Sequence, residues 1–332
     1  MITTELTKRL GIEHPIIQAG MASECGWQIA AAVSNAGALG SIGGIGRSPQ
    51  GFAEEIRLCR AATQKPFAVN VVTFDWSPFA EALVEVAIAE RPPVVTLSFG
   101  DTIPALRRCR DAGLVTFVQA QDFAGAKAAL DAGADAVIVQ GAEAGGHTGE
   151  RGTLSFAAQV LEIAGGTPVV IAGGVGNGRG LAAALAMGAA GVTMGTRFKA
   201  TVEFGPAMRW GEEQKAAIVA SDGANTVRDV ITDIPLPMTW PDGVVGRAMA
   251  NRFTREWLGR ADALAQAVRA AGAPGAFVGQ LGGAPDTITN WAGESAGLVH
   301  GVVPAAQVVI ETVEEAEALL RTVAANLVPR SS

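Results

Sequence analysis

The 332-residue sequence predicts an α/β fold, a (β/α)8 TIM barrel followed by a helical cap. Three observations support this prediction: a repeated helix-to-strand unit, eight short apolar runs, and a break in the repeat near residue 200. The composition agrees, because a chain that is 49% hydrophobic and 17% charged can bury the large core of a barrel.

In the repeated unit, an alanine-rich helical stretch ends in Ala-Gly or Met-Gly and a short apolar run follows at once. Gly37, Gly113, Gly133 and Gly188 stand at these junctions, where the end of a helix favours a left-handed residue. The runs do not alternate between apolar and polar residues, as expected for parallel strands that are buried on both faces. The unit therefore predicts parallel strands connected by helices.

Eight runs are predicted to be strands, and helices are predicted between most of them. The strands are Pro15–Ala19, Ala38–Ile42, Phe67–Val72, Val94–Ser98, Val115–Gln119, Ala136–Gln140, Pro168–Ala172 and Gly191–Met194. The helices include Phe52–Ala62, Ile103–Ala112, Phe123–Ala132 and Gly178–Met187. Eight such units favour a closed barrel. An open, doubly wound sheet is the alternative, because closure is not visible in a sequence.

After Arg197 the repeat stops, which predicts three domains. Residues 1–202 form the barrel, 203–296 a helical cap over its mouth, and 297–332 a C-terminal segment that packs back on the barrel. The predicted cap helices are Glu212–Ala220, Arg247–Leu258 and Ala261–Ala271, and the cap holds Trp210, Trp240, Trp257 and Trp291. The C-terminal segment contains a closing helix, Ala305–Leu327.

Charge and cysteine usage exclude several classes of function. A net charge of −7 argues against nucleic acid or an anionic membrane surface as a partner, since both require basic patches. The three cysteines are widely spaced, which is typical of a reducing cytoplasm and not of a disulfide framework. No apolar run reaches membrane-spanning length. We therefore expect a cytoplasmic protein; a homodimer is compatible with the sequence, which does not determine the oligomeric state.

Uncharged amides end three of the predicted strands: Asn70, Gln119 and Gln140. The carboxyl ends of barrel strands meet at one face, where ligands bind. A buried amide is costly unless its hydrogen bonds are satisfied, so three together predict a flat polar ligand such as an isoalloxazine ring. In the alternative interpretation, each amide satisfies a neighbouring backbone group.

Two glycine-rich stretches follow the seventh and eighth strands, Ile171–Gly180 and Met194–Phe198. Loops at these positions form the recurrent phosphate site of the barrel, where backbone N–H groups approach the ligand closely. Tight turns are the alternative for either stretch alone. A dinucleotide site is disfavoured, since the glycines belong to the seventh unit and no acidic strand end follows them.

His147 stands in the loop Gly141–Gly149, among glycines and close to Glu143. Such a loop lets the imidazole approach a ligand, and imidazole is the usual group for proton transfer near neutral pH. A histidine that caps its own loop is the alternative. Metal binding is disfavoured because no second His or Cys lies at ligand spacing. His14 and His300 lack a comparable setting.

Together these residues resemble the nitronate monooxygenase (2-nitropropane dioxygenase-like) family of FMN-containing TIM barrels. The resemblance is carried by His14–Met21, Ala31–Gly37, Lys65–Asn70, Gln140–Gly149, Ala172–Gly174 and Met194–Phe198, and returns weakly at Trp291–Val299. It implies that FMN is the cofactor and His147 the catalytic base or substrate-positioning group. It also implies a cofactor site with three parts. Gly20, Met21 and Ala22 would face the flavin, and Asn70, Gln119 and Gln140 would lie near its ring. The ribityl and phosphate groups would be held by Gly145, Gly146, Gly173, Gly174, Gly195 and Thr196. The implied reaction oxidises an alkyl nitronate with O2 to a carbonyl compound and nitrite, without added nicotinamide.

The sequence departs from the family pattern at the places where its subgroups differ. Ser98 stands where the best-defined nitronate class has a second histidine, and Thr73-Phe-Asp75 stands where that class tends to have Cys-His. Gln119 and Gln140 replace the Lys and Asp of some relatives that use NADH. The alternatives are therefore an NAD(P)H-dependent flavin reductase, of the quinone or enoyl-acyl carrier protein reductase type, and a non-catalytic flavin- or phosphate-binding barrel.

Overall fold

The computed structural model describes residues 2–74, 79–205, 208, 211–236, 238–272, 276–277, 280–281 and 284–327. Its strands are β1 (Ile16–Gln18), β2 (Gly40–Gly43), β3 (Phe67–Thr73), β4 (Val94–Gly100), β5 (Val115–Ala120), β6 (Ala136–Gln140), β7 (Gly146–Thr148), β8 (Val169–Ala172), β9 (Gly191–Met194), β10 (Thr226–Arg228) and β11 (Val245–Met249). All eight predicted strands are present. They form one parallel sheet of eight strands, while β7, β10 and β11 form a second, antiparallel sheet.

The parallel sheet closes on itself. Strand β9 pairs with β1, with Ile16 opposite Val192. Strand β1 then reaches the residue before β2: the Gln18 N–H donates to the Leu39 carbonyl, and the Leu39 N–H to the Ile16 carbonyl, each at 2.9 Å. The other barrel strands follow one another in chain order. A doubly wound sheet would reverse its strand order part-way, so the prediction of a TIM barrel is confirmed and the alternative is excluded.

Helices surround the strands. They are α1 (Glu5–Leu10), α2 (Trp27–Asn35), α3 (Pro49–Ala62), α4 (Ala80–Glu90), α5 (Ile103–Asp111), α6 (Phe123–Asp131), α7 (Thr153–Ile163), α8 (Gly178–Ala186), α9 (Thr196–Lys199), α10 (Gly211–Val219), α11 (Arg252–Trp257), α12 (Ala261–Ala270) and α13 (Ala305–Leu327). Side chains of Ser48, Asp122 and Asn177 accept backbone N–H groups at the starts of α3, α6 and α8. Such caps satisfy donors that the first turn of a helix leaves unpaired.

The core has two layers, because successive residues of each strand point to opposite faces of the sheet. Ile17, Ala68, Phe117, Ile138 and Val170 belong to one buried cluster, together with Leu6 of α1. Their strand neighbours belong to a larger cluster shared with the surrounding helices. We assign the first cluster to the barrel interior and the second to the strand–helix layer. This packing fixes the strand ends, which carry the candidate site.

The segment after β9 differs from the prediction. Arg247–Leu258 was predicted to be one helix, but its start belongs to strand β11 and only Arg252–Trp257 is helical. Pairing with β10 on one side and β7 on the other outweighs the local helical composition. Asn251 caps the start of the helix, since its side chain accepts the N–H of Thr254 at 2.9 Å. The segment is therefore a mixture of strands and helices.

The C-terminal helix α13 matches the predicted range Ala305–Leu327. It contributes Val308, Val309 and Val313 to the large core cluster. Its Glu315 accepts the N–H of Gly178 at 2.8 Å, which satisfies a donor at the start of α8.

Candidate functional site

A cavity of about 800 Å³ opens at the carboxyl ends of the barrel strands. Every site residue predicted from the sequence contributes to its wall. These are Gly20, Met21, Ala22, Asn70, Gln119, Gln140, Gly145, Gly146, His147, Gly173, Gly174, Gly195 and Thr196. They come from widely separated parts of the chain and meet because parallel barrel strands end at one face.

His147 is paired with a carboxylate that the sequence analysis did not single out. Its Nε2 lies 2.7 Å from Oδ1 of Asp233, and the two side chains are only 10% and 13% exposed. An ionised carboxylate only accepts hydrogen bonds, so the proton of a neutral His147 resides on Nε2. Nδ1 makes no hydrogen bond within the described residues and keeps its lone pair. The pair thus fixes the orientation of the imidazole.

Two tryptophans contact the imidazole. The ring of Trp240 stacks on His147 with centroids 3.5 Å apart and planes 13° apart. The ring of Trp291 lies at 4.9 Å and is tilted by 50°. Phe99 meets Trp240 edge to face at 5.1 Å. These rings hold the histidine in one orientation and make that side of the cavity apolar.

The local fold explains the position of His147. It lies in the middle of β7, opposite Gly246 of β11. A Cβ on Gly246 would lie 2.4 Å from Cζ3 of Trp291, so a glycine here lets the tryptophan close over the strand. Arg228 donates to the carbonyls of Thr148 and Gly149, which ties β7 to the later segment. The predicted alternative, a histidine capping its own loop, does not describe this arrangement.

Glu143, the carboxylate nearest to His147 in sequence, has a different partner. Its oxygens accept the N–H of Thr153 at 2.9 and 3.1 Å and the hydroxyl of the same residue at 2.5 Å. It therefore secures the start of α7.

Two of the strand-end amides form a short network. The Gln140 carbonyl oxygen accepts the amides of Gln119 at 3.1 Å and Gln121 at 3.0 Å. Among the described residues, the Gln140 amide nitrogen and the Gln119 carbonyl oxygen keep no hydrogen bond. Asn70 was predicted to end the third strand but lies inside β3, where it donates to the Ser98 hydroxyl at 3.1 Å. A donor and an acceptor thus remain available in the cavity wall, which fits the polar edge of an isoalloxazine ring.

The loop after β8 can hold an anion. Gly173 and Gly174 have φ angles of 103° and 74°, in the left-handed region that favours glycine. The N–H groups of Gly174 and Val175 donate no hydrogen bond within the described parts of the chain. Consecutive free N–H groups in such a turn form an anion-binding concavity. The Thr193 hydroxyl, also in the cavity wall, is buried without a partner among the same residues. The wall thus fits a ligand with a polar ring and a phosphate.

Three residues of the cavity wall have an uncommon backbone conformation. Met21, Ala22 and Phe99 have φ angles of 39°, 54° and 60° although none is glycine. Such conformations persist only where the surrounding structure enforces them, and they cluster at functional sites.

The structure also shows what the sequence analysis missed. Asp233, Lys199 and Glu24 received no role, and Trp240 was noted only as a residue of the cap. A signal for Lys199 was present, because a lysine follows the phosphate-loop motif directly. Asp75 and Trp210 lie outside the described residues, and His14 and His300 are absent from the cavity wall.

Within the described residues, no group of three or more His, Cys, Asp or Glu side chains is placed to hold a metal ion. In the same parts of the chain, no helix has the length and apolarity needed to cross a membrane.

The sequence pattern of the nitronate monooxygenase family matches residues 3–315 of this chain. The chain belongs to that family. This membership agrees with the resemblance to a family of flavin-dependent oxidoreductases noted in the sequence. The nitronate monooxygenase of Pseudomonas aeruginosa is 31% identical over 342 residues, covering 81% of this chain and 97% of that protein.

Other proteins that are similar to this chain have different names. A Mycobacterium tuberculosis protein, (3aS,4S,5R,7aS)-5-hydroxy-7a-methyl-1-oxo-octahydro-1H-indene-4-carboxyl-CoA dehydrogenase, is 40% identical over 202 residues. This match covers 60% of the chain and only 56% of the relative's length. Among solved structures, FabK from Thermotoga maritima has a TM-score of 0.83 and 32% identity over 97% of this chain and 99% of that one. Nitroalkane oxidase from Streptomyces ansochromogenes has a TM-score of 0.79 and 30% identity over 96% and 99%.

Proposed function

We propose that this chain binds FMN and oxidises alkyl nitronates with O2 to a carbonyl compound and nitrite. The observation that carries the proposal is the position of His147. Its imidazole lies in the wall of the same cavity as the strand-end amides and the glycine loops, and Asp233 orients it. A family whose name denotes nitronate oxidation supports this choice of substrate.

The residues of the wall fit FMN in two ways. The free amide nitrogen of Gln140 and the free carbonyl oxygen of Gln119 suit the ring edge, and the free N–H groups of Gly174 and Val175 suit the phosphate. When bound, the flavin would supply electron transfer between the nitronate and O2, with two nitronate anions and one O2 giving two carbonyl molecules and two nitrite anions.

His147 handles the proton of the reaction. With Nε2 directed at Asp233, Nδ1 can take the proton from the carbon next to the nitro group of a neutral nitroalkane, which gives the nitronate that is oxidised. As an imidazolium, the same nitrogen donates a hydrogen bond to a nitronate oxygen and so positions an anionic substrate. Trp240 and Trp291 exclude water around the imidazole, which strengthens these electrostatic interactions.

A second candidate is an NAD(P)H-dependent flavin reductase that acts on a larger apolar substrate. The cavity wall favours it in one respect, since Phe79, Leu236, Met238 and Trp240 provide more apolar surface than a short nitronate covers. The name of the Mycobacterium tuberculosis relative, a dehydrogenase of a bicyclic acyl-CoA, supports the same direction.

Anaerobic stopped-flow spectroscopy distinguishes the two candidates. The flavoprotein is mixed separately with propyl-2-nitronate, NADH and NADPH while flavin absorbance is recorded. Fast loss of the oxidised-flavin band with the nitronate, and none with NADH or NADPH, is the expected result. Fast bleaching by a nicotinamide alone would replace the first candidate with the second. Purified protein without flavin in its denatured supernatant would contradict both.

A further inference from the structure

Lys199 is a buried cation in the wall of the main cavity. Its side chain is 2% exposed, and its Nζ lies 3.2 Å from Oε2 of Glu24. Nζ also donates to the Trp291 carbonyl at 3.4 Å and lies 5.6 Å from the centre of the Phe204 ring. An ammonium group has three N–H donors, so one donor of Lys199 is still available to a ligand.

Another cation in the cavity wall, Arg47, is largely committed. It forms an ion pair with Glu55 at 2.8 Å, and three more of its five N–H groups donate to the carbonyls of Gly43, Ser23 and Cys25. Among the described residues of the wall, Lys199 has fewer hydrogen bonds to protein groups and is the positive charge better placed to serve a ligand.

Lys199 and Glu24 differ in how deeply they are buried. Lys199 ends the short helix that begins at Thr196, next to the glycine loop after β9, and it is almost fully buried. Glu24 is 26% exposed and belongs to a turn that follows the left-handed residues Met21 and Ala22. A buried ion pair adds little stability compared with apolar side chains of the same size. Its position at a ligand cavity thus points to a role in binding.

We propose that Lys199 is the counter-charge of the flavin phosphate and that Glu24 holds its ammonium group while the phosphate is absent. This inference rests on the proposed binding of FMN. The free N–H groups of Gly174 and Val175 provide hydrogen bonds to an anion but no net charge. Lys199 supplies that charge, and Glu24 competes with the phosphate for it.

The proposal predicts effects of opposite sign for the two partners. Lys199→Met keeps the apolar stem and removes the charge, so the affinity of the apoprotein for FMN should fall by about tenfold or more. Glu24→Gln removes the competing anion and should tighten FMN binding by about threefold. Riboflavin has no phosphate, so neither substitution should change its affinity. Quenching of flavin fluorescence in titrations of apoprotein measures all of these affinities without turnover.

A second buried lysine provides the matched control. The Lys215 side chain is 4% exposed and its Nζ lies 3.0 Å from Oε1 of Glu212, but neither residue contributes to the cavity wall. Lys215→Met should leave the affinities for FMN and riboflavin unchanged. Circular dichroism of each variant establishes that the apoprotein used in the titration is folded.

Three outcomes would overturn the proposal: equal losses of FMN and riboflavin affinity in Lys199→Met, unchanged FMN affinity in a folded Lys199→Met protein, or weaker FMN binding in Glu24→Gln. In each of these cases, binding of riboflavin by the wild-type protein would still support the proposed flavin site. Wild-type apoprotein that binds neither flavin would instead contradict the proposed function, and this inference with it.

Discussion

The barrel and the segment of residues 203–296, here called the cap segment, contribute to the site in different ways. The barrel brings together groups that fit a flavin, such as Gln140 and Gly174, and all of them follow regular strands. The cap segment supplies the groups around the reactive imidazole: Asp233, Trp240 and Trp291. We propose that it acts as a cap domain. We infer that the barrel determines which cofactor binds and that the cap segment determines which substrate reacts.

The largest expected effect is that of His147→Asn, which removes the base but keeps a polar side chain of similar size. Turnover of 2-nitropropane, which must lose its α-proton before it is oxidised, should fall by about 10²–10⁴-fold, as for the loss of a general base. The bound flavin should remain, because the barrel supplies its site. Steady-state oxygen consumption and the flavin absorbance of the purified variant provide the two measurements. Unchanged turnover would contradict the role of His147 as a base.

Gly40→Ala tests the barrel side of the comparison. A Cβ at this position would lie 1.9 Å from the Ala30 carbonyl oxygen, so α2 and β2 would have to separate. Overpacking of this kind should lower the free energy of unfolding by about 3 kcal/mol. Urea unfolding of the apoprotein measures the loss. Gly301→Ala is the control, since its Cβ meets nothing within 4 Å. Equal stability of the two variants would contradict the close packing of α2 against β2.

Asp233→Asn tests the cap segment without altering the barrel. The amide can no longer serve His147 as an ionised acceptor, so kcat should fall by about tenfold to a hundredfold. KM should change less, and flavin content should stay the same. Asp233→Glu restores the carboxylate and should recover part of kcat. A parallel loss of flavin or of folded protein in Asp233→Asn would show that the pair is structural.

The smallest expected effect per residue appears at alkaline pH and belongs to the barrel, which holds all three cysteines. Burial raises the pKa of the Cys59 thiol to about 12 and that of Cys109 to about 11, and it also raises the pKa of Cys25. The unfolded thiols titrate near about pH 8.5. Their stabilising contribution is therefore complete below that pH and declines as the pH rises towards the folded values.

Between pH 8.5 and 9.5 this decline should cost about 1 kcal/mol per thiol. Urea unfolding at the two pH values measures it, and the absence of tyrosine removes one competing titration. Cys109→Ala should reduce the dependence on pH. A free energy of unfolding with the same pH dependence in that variant would count against the buried-thiol explanation.

The sequence predicted the barrel and its contribution to the site well, because both follow a regular pattern. Strands such as Ala136–Gln140 are short apolar runs, and their ends meet at one face of the barrel regardless of the sequences of the loops. Asp233 and Trp240 could not be placed in the same way. Each acts through a partner that is remote in sequence, and no local period marks it. Arg247–Leu258 was predicted incorrectly for a related reason, because its strand depends on pairing with β7.

The pairing of β7, which carries His147, with β11 determines the order in which the parts of the site can form during synthesis. His147 is made with the barrel, but Asp233 follows it by 86 residues and the strand opposite it ends only at Met249. The loops that fit a flavin are therefore translated before the groups around His147 can be assembled. A nascent chain released from the ribosome before Asp233 would contain the loops that fit the cofactor but no oriented base.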